Sequence, residues 1–127
     1  MLVALKIVDQ TLGSAPIARE LRLVSERITL RELLKRRIDE EVAELNAGRD
    51  EIKPLVAPTA WERRLNGEKS RRVVDPERQL GAAVEAFERR RIVIIVDRRQ
   101  VLDLDEAIVV TAGTEVRFLK LVPLVGG

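Results

Sequence analysis

The sequence predicts an α+β fold in which one sheet packs on one main helix. Apolar residues alternate with a period of two near both ends of the chain, as they do in half-buried strands. Between residues 29 and 46 they recur instead at helical spacing. A chain of 127 residues without cysteine is of a size to form a single domain, here expected over 1–127, without disulfide bonds.

The first two strands are expected to form an antiparallel hairpin. Alternation begins at Val3 and resumes over residues 20–24, after a loop that contains Gly13 and Pro16. This loop of roughly eight residues is too long for a two-residue turn, so we expect the register to be set by the joint burial of four apolar residues. These are Leu5, Ile7, Leu21 and Leu23.

The main helix has strong start and stop signals. Thr29 and Glu32 form the T-x-x-E pattern of a capping box, and Ile28 stands where it can pack on Leu33 as a hydrophobic staple. Gly48 stands where a glycine commonly ends a helix. One amphipathic helix over about 29–46 is therefore predicted.

Residues 47–90 are expected to form an insertion with two helices. Thr59 and Glu62 repeat the capping-box pattern and predict a short helix, and Asp75 before a proline predicts the start of a second helix that runs to the end of the insertion. Trp61 in the short helix has two interpretations, a lid over the core or an exposed recognition anchor.

The last third of the chain is rich in strands. The β-branched run 92–96 suits a strand buried on both faces in the middle of a sheet. Residues 100–102 are expected to return as a short strand, and 108–110 form a further apolar segment. A last strand is predicted over 116–122, where Pro123 ends it.

Composition excludes several kinds of chemistry. The chain has neither histidine nor cysteine, which removes the Ser-His-Asp triad, the thiol nucleophile and zinc sites built from imidazole or thiolate. The sequence also lacks a Gly-rich phosphate loop and a nucleophile–base pair. We therefore predict that the protein is not an enzyme and has no catalytic residue, metal site or cofactor.

Charge and hydropathy argue against nucleic acid and membrane as partners. The net charge is only +2, and an aromatic content of 2% leaves no platform on which bases would stack. Adjacent arginines such as 89–91 mostly have carboxylates within a helical turn, which favours solvated helix faces over phosphate binding. No apolar run approaches the roughly 18 residues of a membrane span, and a cytoplasmic location is expected.

The most informative segment is the tail 123–127, which is expected to be flexible and ends in Gly126 and Gly127. A frayed end is one interpretation. The functional one is that glycine, which lacks a Cβ, allows a peptide to pass through a narrow channel to an enzyme that activates its carboxylate with ATP. The resulting acyl-adenylate is open to attack by a thiol or a sulfur donor, so the partner supplies the chemistry.

The order of the predicted elements, the segments 91–101 and 113–119, and the terminal Gly126-Gly127 resemble the ubiquitin-like β-grasp superfamily. The likeness is closest to its MoaD/ThiS sulfur-carrier branch. The resemblance covers the chain outside the insertion. It implies a mixed four- to five-stranded sheet packed on one main helix, and an E1-like enzyme that adenylates the carboxylate of Gly127.

Three functions are compatible with this resemblance. The first is a modifier transferred to a target protein, with an E2-like transfer protein and a deconjugating protease as further partners. The second is a sulfur carrier with a C-terminal thiocarboxylate, and the third is an interaction module that is never activated. The chain departs from the sulfur carriers in its insertion, in Asp97-Arg98 where Asn-Gly is common, and in a longer, more ubiquitin-like tail.

The partner-binding residues are expected around the last strand. Period-two alternation places Leu119 and Leu121 on the face opposite Phe118, the better core residue. The two leucines then either form an apolar docking patch, as the resemblance implies, or are covered by the insertion. The residues expected to contact a partner are Arg117, Leu119, Leu121, Pro123, Leu124 and Val125.

Overall fold

The computed structural model describes residues 2–49, 53–58, 62–66 and 69–124, with the backbone alone described for 62–66 and 69–72. The order of its elements matches an α+β fold. The strands are β1 (Val3–Thr11), β2 (Ile17–Leu23), β3 (Arg27–Thr29), β4 (Glu62–Asn66), β5 (Lys69–Val73), β6 (Ile92–Val96), β7 (Arg99–Val101), β8 (Ala107–Val109) and β9 (Glu115–Lys120), and the helices are α1 (Leu30–Asn46) and α2 (Pro76–Glu88).

The main sheet is mixed and has the strand order β2-β1-β9-β6-β7. Its central pair, β1 and β9, is parallel, whereas the neighbouring pairs β1–β2, β6–β9 and β6–β7 are antiparallel. The last strand of the chain therefore lies in the middle of the sheet, between the first strand and β6. This topology, with α1 covering one face, is compatible with a β-grasp fold.

The N-terminal hairpin has the register that apolar burial predicts. Leu5 lies opposite Leu21 and Val3 opposite Leu23. All four residues that were expected to set the register are at most 3% exposed. The connection is shorter than predicted, because β1 extends to Thr11, where its last residues pair with β9.

The main helix begins at the predicted capping box. The Thr29 hydroxyl accepts a hydrogen bond from the backbone N–H of Glu32 at 3.1 Å and donates to its carboxylate at 2.9 Å. Gly48, just past the end of α1, has φ = +88°, a conformation that glycine adopts without strain. The helix buries its apolar stripe against the sheet, together with two charged residues, Arg37 and Glu41.

The insertion differs from its prediction. Residues Glu62–Asn66, for which a short helix was expected, form β4, which pairs with β5 so that Arg63 lies opposite Arg72. An isolated helix of one or two turns is marginal, whereas a neighbouring strand satisfies the backbone groups of β4. The arginines in β4 and β5 therefore lie on paired strands and not on helix faces.

The second helix of the insertion packs on the main one. Asp75 caps α2 by accepting a hydrogen bond from the N–H of Glu77 at 3.0 Å, with Pro76 in the first turn. Helix α2 contacts both α1 and β6. Its buried residues include Gln79 and Ala83, so the insertion extends the core around α1.

The β-branched run of β6 is buried on one face only, and the prediction of burial on both faces is wrong. Ile92, Ile94 and Val96 are buried, whereas Val93 and Ile95 are partly exposed. The reason is topological: β6 lies next to the edge strand β7, and α1 covers only one face of the sheet. The other face of β6 is open.

The turn between β6 and β7 departs from ordinary residue preferences. Asp97 and Arg98 have φ of +45° and +73°, values that favour Asn-Gly in a two-residue hairpin turn. The Asp97 carboxylate accepts a hydrogen bond from the N–H of Glu115 at 2.9 Å. The backbone N–H of Asp97 donates to the Glu115 carbonyl at 3.0 Å. These two bonds to β9 offset the cost of the left-handed backbone.

Candidate functional site

The tail leaves the fold from the centre of the sheet. Beyond Lys120, the N–H of Leu121 donates to the carbonyl of Arg91 at 2.9 Å, and the chain then turns away. Leu121, Val122 and Pro123 are exposed. The predicted site residues Val125, Gly126 and Gly127 lie outside the described residues, as does Trp61, so both interpretations of that tryptophan stay open.

The last strand has the two faces that alternation predicts. Val116 and Phe118 are fully buried under α1, and Leu119 lies on the opposite face beside Val93 of β6. Arg117, on the same open face, is paired with Ile95 and donates a hydrogen bond to the Gln10 side chain at 2.8 Å. Part of the hydrogen-bonding capacity of the Arg117 guanidinium is therefore used within the sheet.

The open face carries four apolar residues near Leu119 and Arg117. Leu119 lies between Val93 of β6 and Gln10 of β1, and Arg117 lies between Ile95 and Val8. Val93 and Ile95 are partly exposed, whereas Val8 is only 4% exposed. The open face is therefore apolar with one arginine among its residues, and we call its apolar members the open-face patch: Val8, Val93, Ile95 and Leu119.

The described part of the insertion reaches the edge of this patch without burying Leu121. The C-terminal end of α2, with Phe87, lines a groove of about 660 Å³ together with Val93, Leu102 and Leu121. Leu121 remains 38% exposed and Leu102 71% exposed. A groove lined by both apolar and charged residues therefore connects Val93 of the open-face patch with Leu121 at the base of the tail.

Leu124 departs from the expectation of a free tail. It is 7% exposed and belongs to the buried apolar cluster, and its carbonyl accepts a hydrogen bond from the N–H of Ala57 at 2.9 Å. Leu55 and Val56, beside that contact, are each 1% exposed. An apolar side chain next to an incompletely covered core is stabilised by burial, which explains why Leu124 is not at the surface with Pro123.

Beneath the base of the tail lies a buried network of charges. Arg37 on α1 is 1% exposed and donates through both terminal nitrogens to the Asp9 carboxylate, with Nη2 2.6 Å from Oδ2. Its Nε donates to Glu41 at 2.7 Å, and Arg19 donates to the same oxygen of Glu41 at 3.2 Å. The Arg37 guanidinium also lies 4.5 Å from the centre of the Phe118 ring.

Burial lowers the pKa of both Arg37 and Lys120, whereas nearby carboxylates raise it. Burial by itself lowers the pKa of Arg37, but the carboxylates of Glu41 and Asp9 raise that pKa above its ordinary value. For the half-buried Lys120 at the end of β9, desolvation prevails over the attraction of Asp9 and lowers the pKa of the ammonium. Lys120 Nζ donates to the carbonyl of Leu55 at 3.4 Å.

Sequence reasoning missed the network, although one signal was present. Arg37 and Glu41 fall at helical spacing within the apolar stripe of α1, between Leu34 and Val42. A charged pair at positions i and i+4 inside such a stripe is expected to be buried and to have partners on the facing strand. Asp9 was visible only as an acidic residue near the end of the first strand.

Within the described ranges, no group of acidic residues is placed to hold a metal ion, and no helix has the length and apolarity needed to cross a bilayer. The described site combines the open-face patch, the adjoining groove and the segment that follows the central strand as far as Leu124. No protein-family model matches the sequence, and searches of curated proteins and of solved structures found no match.

Proposed function

We propose that this protein has a β-grasp fold and acts as a ubiquitin-like modifier. The observation that carries the proposal is the strand order β2-β1-β9-β6-β7, in which the C-terminal strand is central and leads directly into the tail that ends in Gly126-Gly127. A central strand is held on both edges, so it fixes the point from which the tail starts. In this function partners recognise the folded domain, and the carboxylate at Gly127 is the group that reacts.

In this proposal the Gly127 carboxylate reacts in three steps, which begin on an E1-like partner. The Gly127 carboxylate attacks the α-phosphate of ATP, giving an acyl-adenylate and pyrophosphate. A thiol of the partner displaces AMP and forms a thioester, and an amine of the target then displaces the thiol and forms an amide. The chain contributes the carboxylate, and it has no cysteine or histidine with which to take part further.

The open-face patch is the proposed docking surface for the activating enzyme. Its apolar residues lie around Arg117 on the side of the sheet away from α1, and Val93 adjoins the groove that leads to Leu121. Protein interfaces have an apolar core, and arginine is among the residues enriched in them. Such a surface orients the tail towards the adenylation site of the partner.

Leu119→Asp tests the docking surface. A carboxylate in the middle of the open-face patch would be desolvated on binding, so we expect the affinity for the activating enzyme to fall about tenfold. Val24→Asp is the matched control, because Val24 is 83% exposed and lies outside the patch. Equal affinities of the two variants in a calorimetric titration would argue against this surface.

Intact-mass spectrometry tests the function itself. The chain, ending at Gly127, is incubated with the E1-like enzyme, ATP, candidate target protein and a sulfur source. Larger adducts joined through Gly127 support the modifier. A product in which one carboxylate oxygen is replaced by sulfur would make the protein a sulfur carrier, and an unchanged mass without pyrophosphate release would leave it an interaction module.

A further inference from the structure

Hydrogen bonds join segment 53–58 of the insertion to three other elements. The N–H of Leu55 donates to the Glu41 carboxylate on α1 at 3.2 Å. The carbonyl of Val56 accepts from the Gln79 side chain on α2 at 2.7 Å, and the carbonyl of Leu55 accepts from Lys120 on β9. The side chains of Glu41 and Gln79 are buried and that of Lys120 is half-buried, so the position of the segment is determined by both helices and by the central strand.

The same segment contacts the tail at Leu124. The N–H of Ala57 donates to the carbonyl of Leu124, whose side chain is buried. The residues before it, Leu121, Val122 and Pro123, are exposed. Within the described part of the tail, up to Leu124, the contact is therefore an anchored point beyond a stretch of exposed chain, and it can open without breaking the sheet.

The anchored point limits how far the tail can extend. In the proposed function the reacting group is the carboxylate of Gly127, and residues 125–127, fully extended, span at most about 10 Å between Leu124 and that carboxylate. If Leu124 is released, residues 122–127 span about 20 Å. Opening the contact roughly doubles the distance to which the terminal carboxylate reaches into a partner.

From this geometry we infer that segment 53–58 is a clamp on the tail. An activating enzyme binds the fully extended tail only after Leu124 has dissociated from this segment. The inference rests on the proposed function for its consequence, but the clamp itself is a property of the free protein. It also assigns a role to part of the insertion: the inserted chain regulates access to the terminus.

Hydrogen exchange of the Ala57 amide, followed by NMR, tests the clamp without any partner. In the wild-type protein we expect this amide to exchange at least tenfold more slowly than an unprotected amide, yet faster than the amides of β6, because the clamp opens locally. An Ala57 amide as fast as an unprotected one would overturn the clamp. An Ala57 amide as slow as those of β6 would overturn its independent opening.

Leu124→Ala adds a variant to this measurement, and Val122→Ala is its matched control because Val122 is 47% exposed in the same tail. We expect the Ala57 amide to exchange at least tenfold faster in Leu124→Ala and at the wild-type rate in Val122→Ala. Slow exchange in β6 shows that the sheet is intact in both. Equal Ala57 rates in the two variants would contradict the clamp.

The activating enzyme then tests the regulatory consequence. With the clamp weakened, we expect Leu124→Ala to be adenylated severalfold faster than wild type, as measured by pyrophosphate release. An unchanged or slower rate would show that release of Leu124 does not limit activation. If wild type is not adenylated at all, the proposed function fails, whereas the exchange measurements still decide the clamp.

Discussion

Arg37→Met is expected to lower the free energy of unfolding by about 3–5 kcal/mol. Methionine preserves most of the length and apolar contact of the side chain, so the loss reports the charge. Without the guanidinium, Asp9 loses its bidentate partner, and Glu41, which is 1% exposed, keeps the ion pair with Arg19 and the hydrogen bond from the Leu55 N–H. The measurement is urea denaturation at neutral pH, followed by circular dichroism.

The neighbouring arginine is the control for this prediction. Arg36 is half-exposed on the outer face of α1, and its Nη1 lies 3.7 Å from Glu40. Exposed pairs of this kind contribute little, so Arg36→Met is expected to change stability by less than about 0.5 kcal/mol. Similar losses in both variants would show that burial of Arg37 does not matter.

The contribution of Arg37 should not be lost when the pH rises. The carboxylates of Glu41 and Asp9 raise the pKa of Arg37 above an already high value, so the guanidinium stays charged throughout the range in which the protein is studied. A group with a raised pKa in the folded state stabilises that state at every pH below its ordinary pKa. The stability difference between wild type and Arg37→Met should therefore persist from neutral to mildly alkaline pH, as urea denaturation at both would show.

Gly126→Val is expected to reduce adenylation of the chain by at least about a hundredfold while leaving stability unchanged. A branched Cβ next to the terminal residue obstructs close approach of the backbone, and a misplacement of about 1 Å at a reacting group costs that much in rate. Single-turnover pyrophosphate release with the E1-like enzyme measures the effect, and thermal unfolding checks the fold.

Gly113→Ala is the control for the tail substitution. Gly113 lies in the turn before β9, and no heavy atom beyond its neighbours lies within 4 Å of an added Cβ. We expect this variant to be adenylated at the wild-type rate. If Gly126→Val is adenylated as fast as Gly113→Ala, the tail does not enter a narrow channel.

Local signals accounted for the elements that the sequence predicted well. The Thr29 capping box, the Asp75-Pro76 start of α2 and the alternation of β1 each act through neighbours a few residues away, so a pattern in the chain is sufficient to find them. The mixed sheet was expected from the resemblance and not from a local pattern, since the pairing of β1 with β9 joins residues as far apart in the chain as Lys6 and Glu115.

Two features that the sequence did not reveal depend on distant contacts. Leu124 is buried because residues 55–57 lie beside it. Arg37 pairs with a residue 28 positions away. No local pattern encodes such partners, and these are the contacts on which the clamp and the network depend. The strand at Glu62–Asn66 is a different case, because it pairs with β5 in a local hairpin where a short helix was expected.

The parallel pairing of β1 with β9 has a consequence for biosynthesis. The first strand finds its central neighbour only when residues 115–120 have left the ribosome, because the register joins Lys6 to Glu115 and Thr11 to Lys120. Contacts so far apart in the chain form late and slowly. A nascent or truncated chain without β9 therefore lacks the central strand of its sheet. Only molecules that have been translated as far as β9 can fold into a domain that a partner recognises.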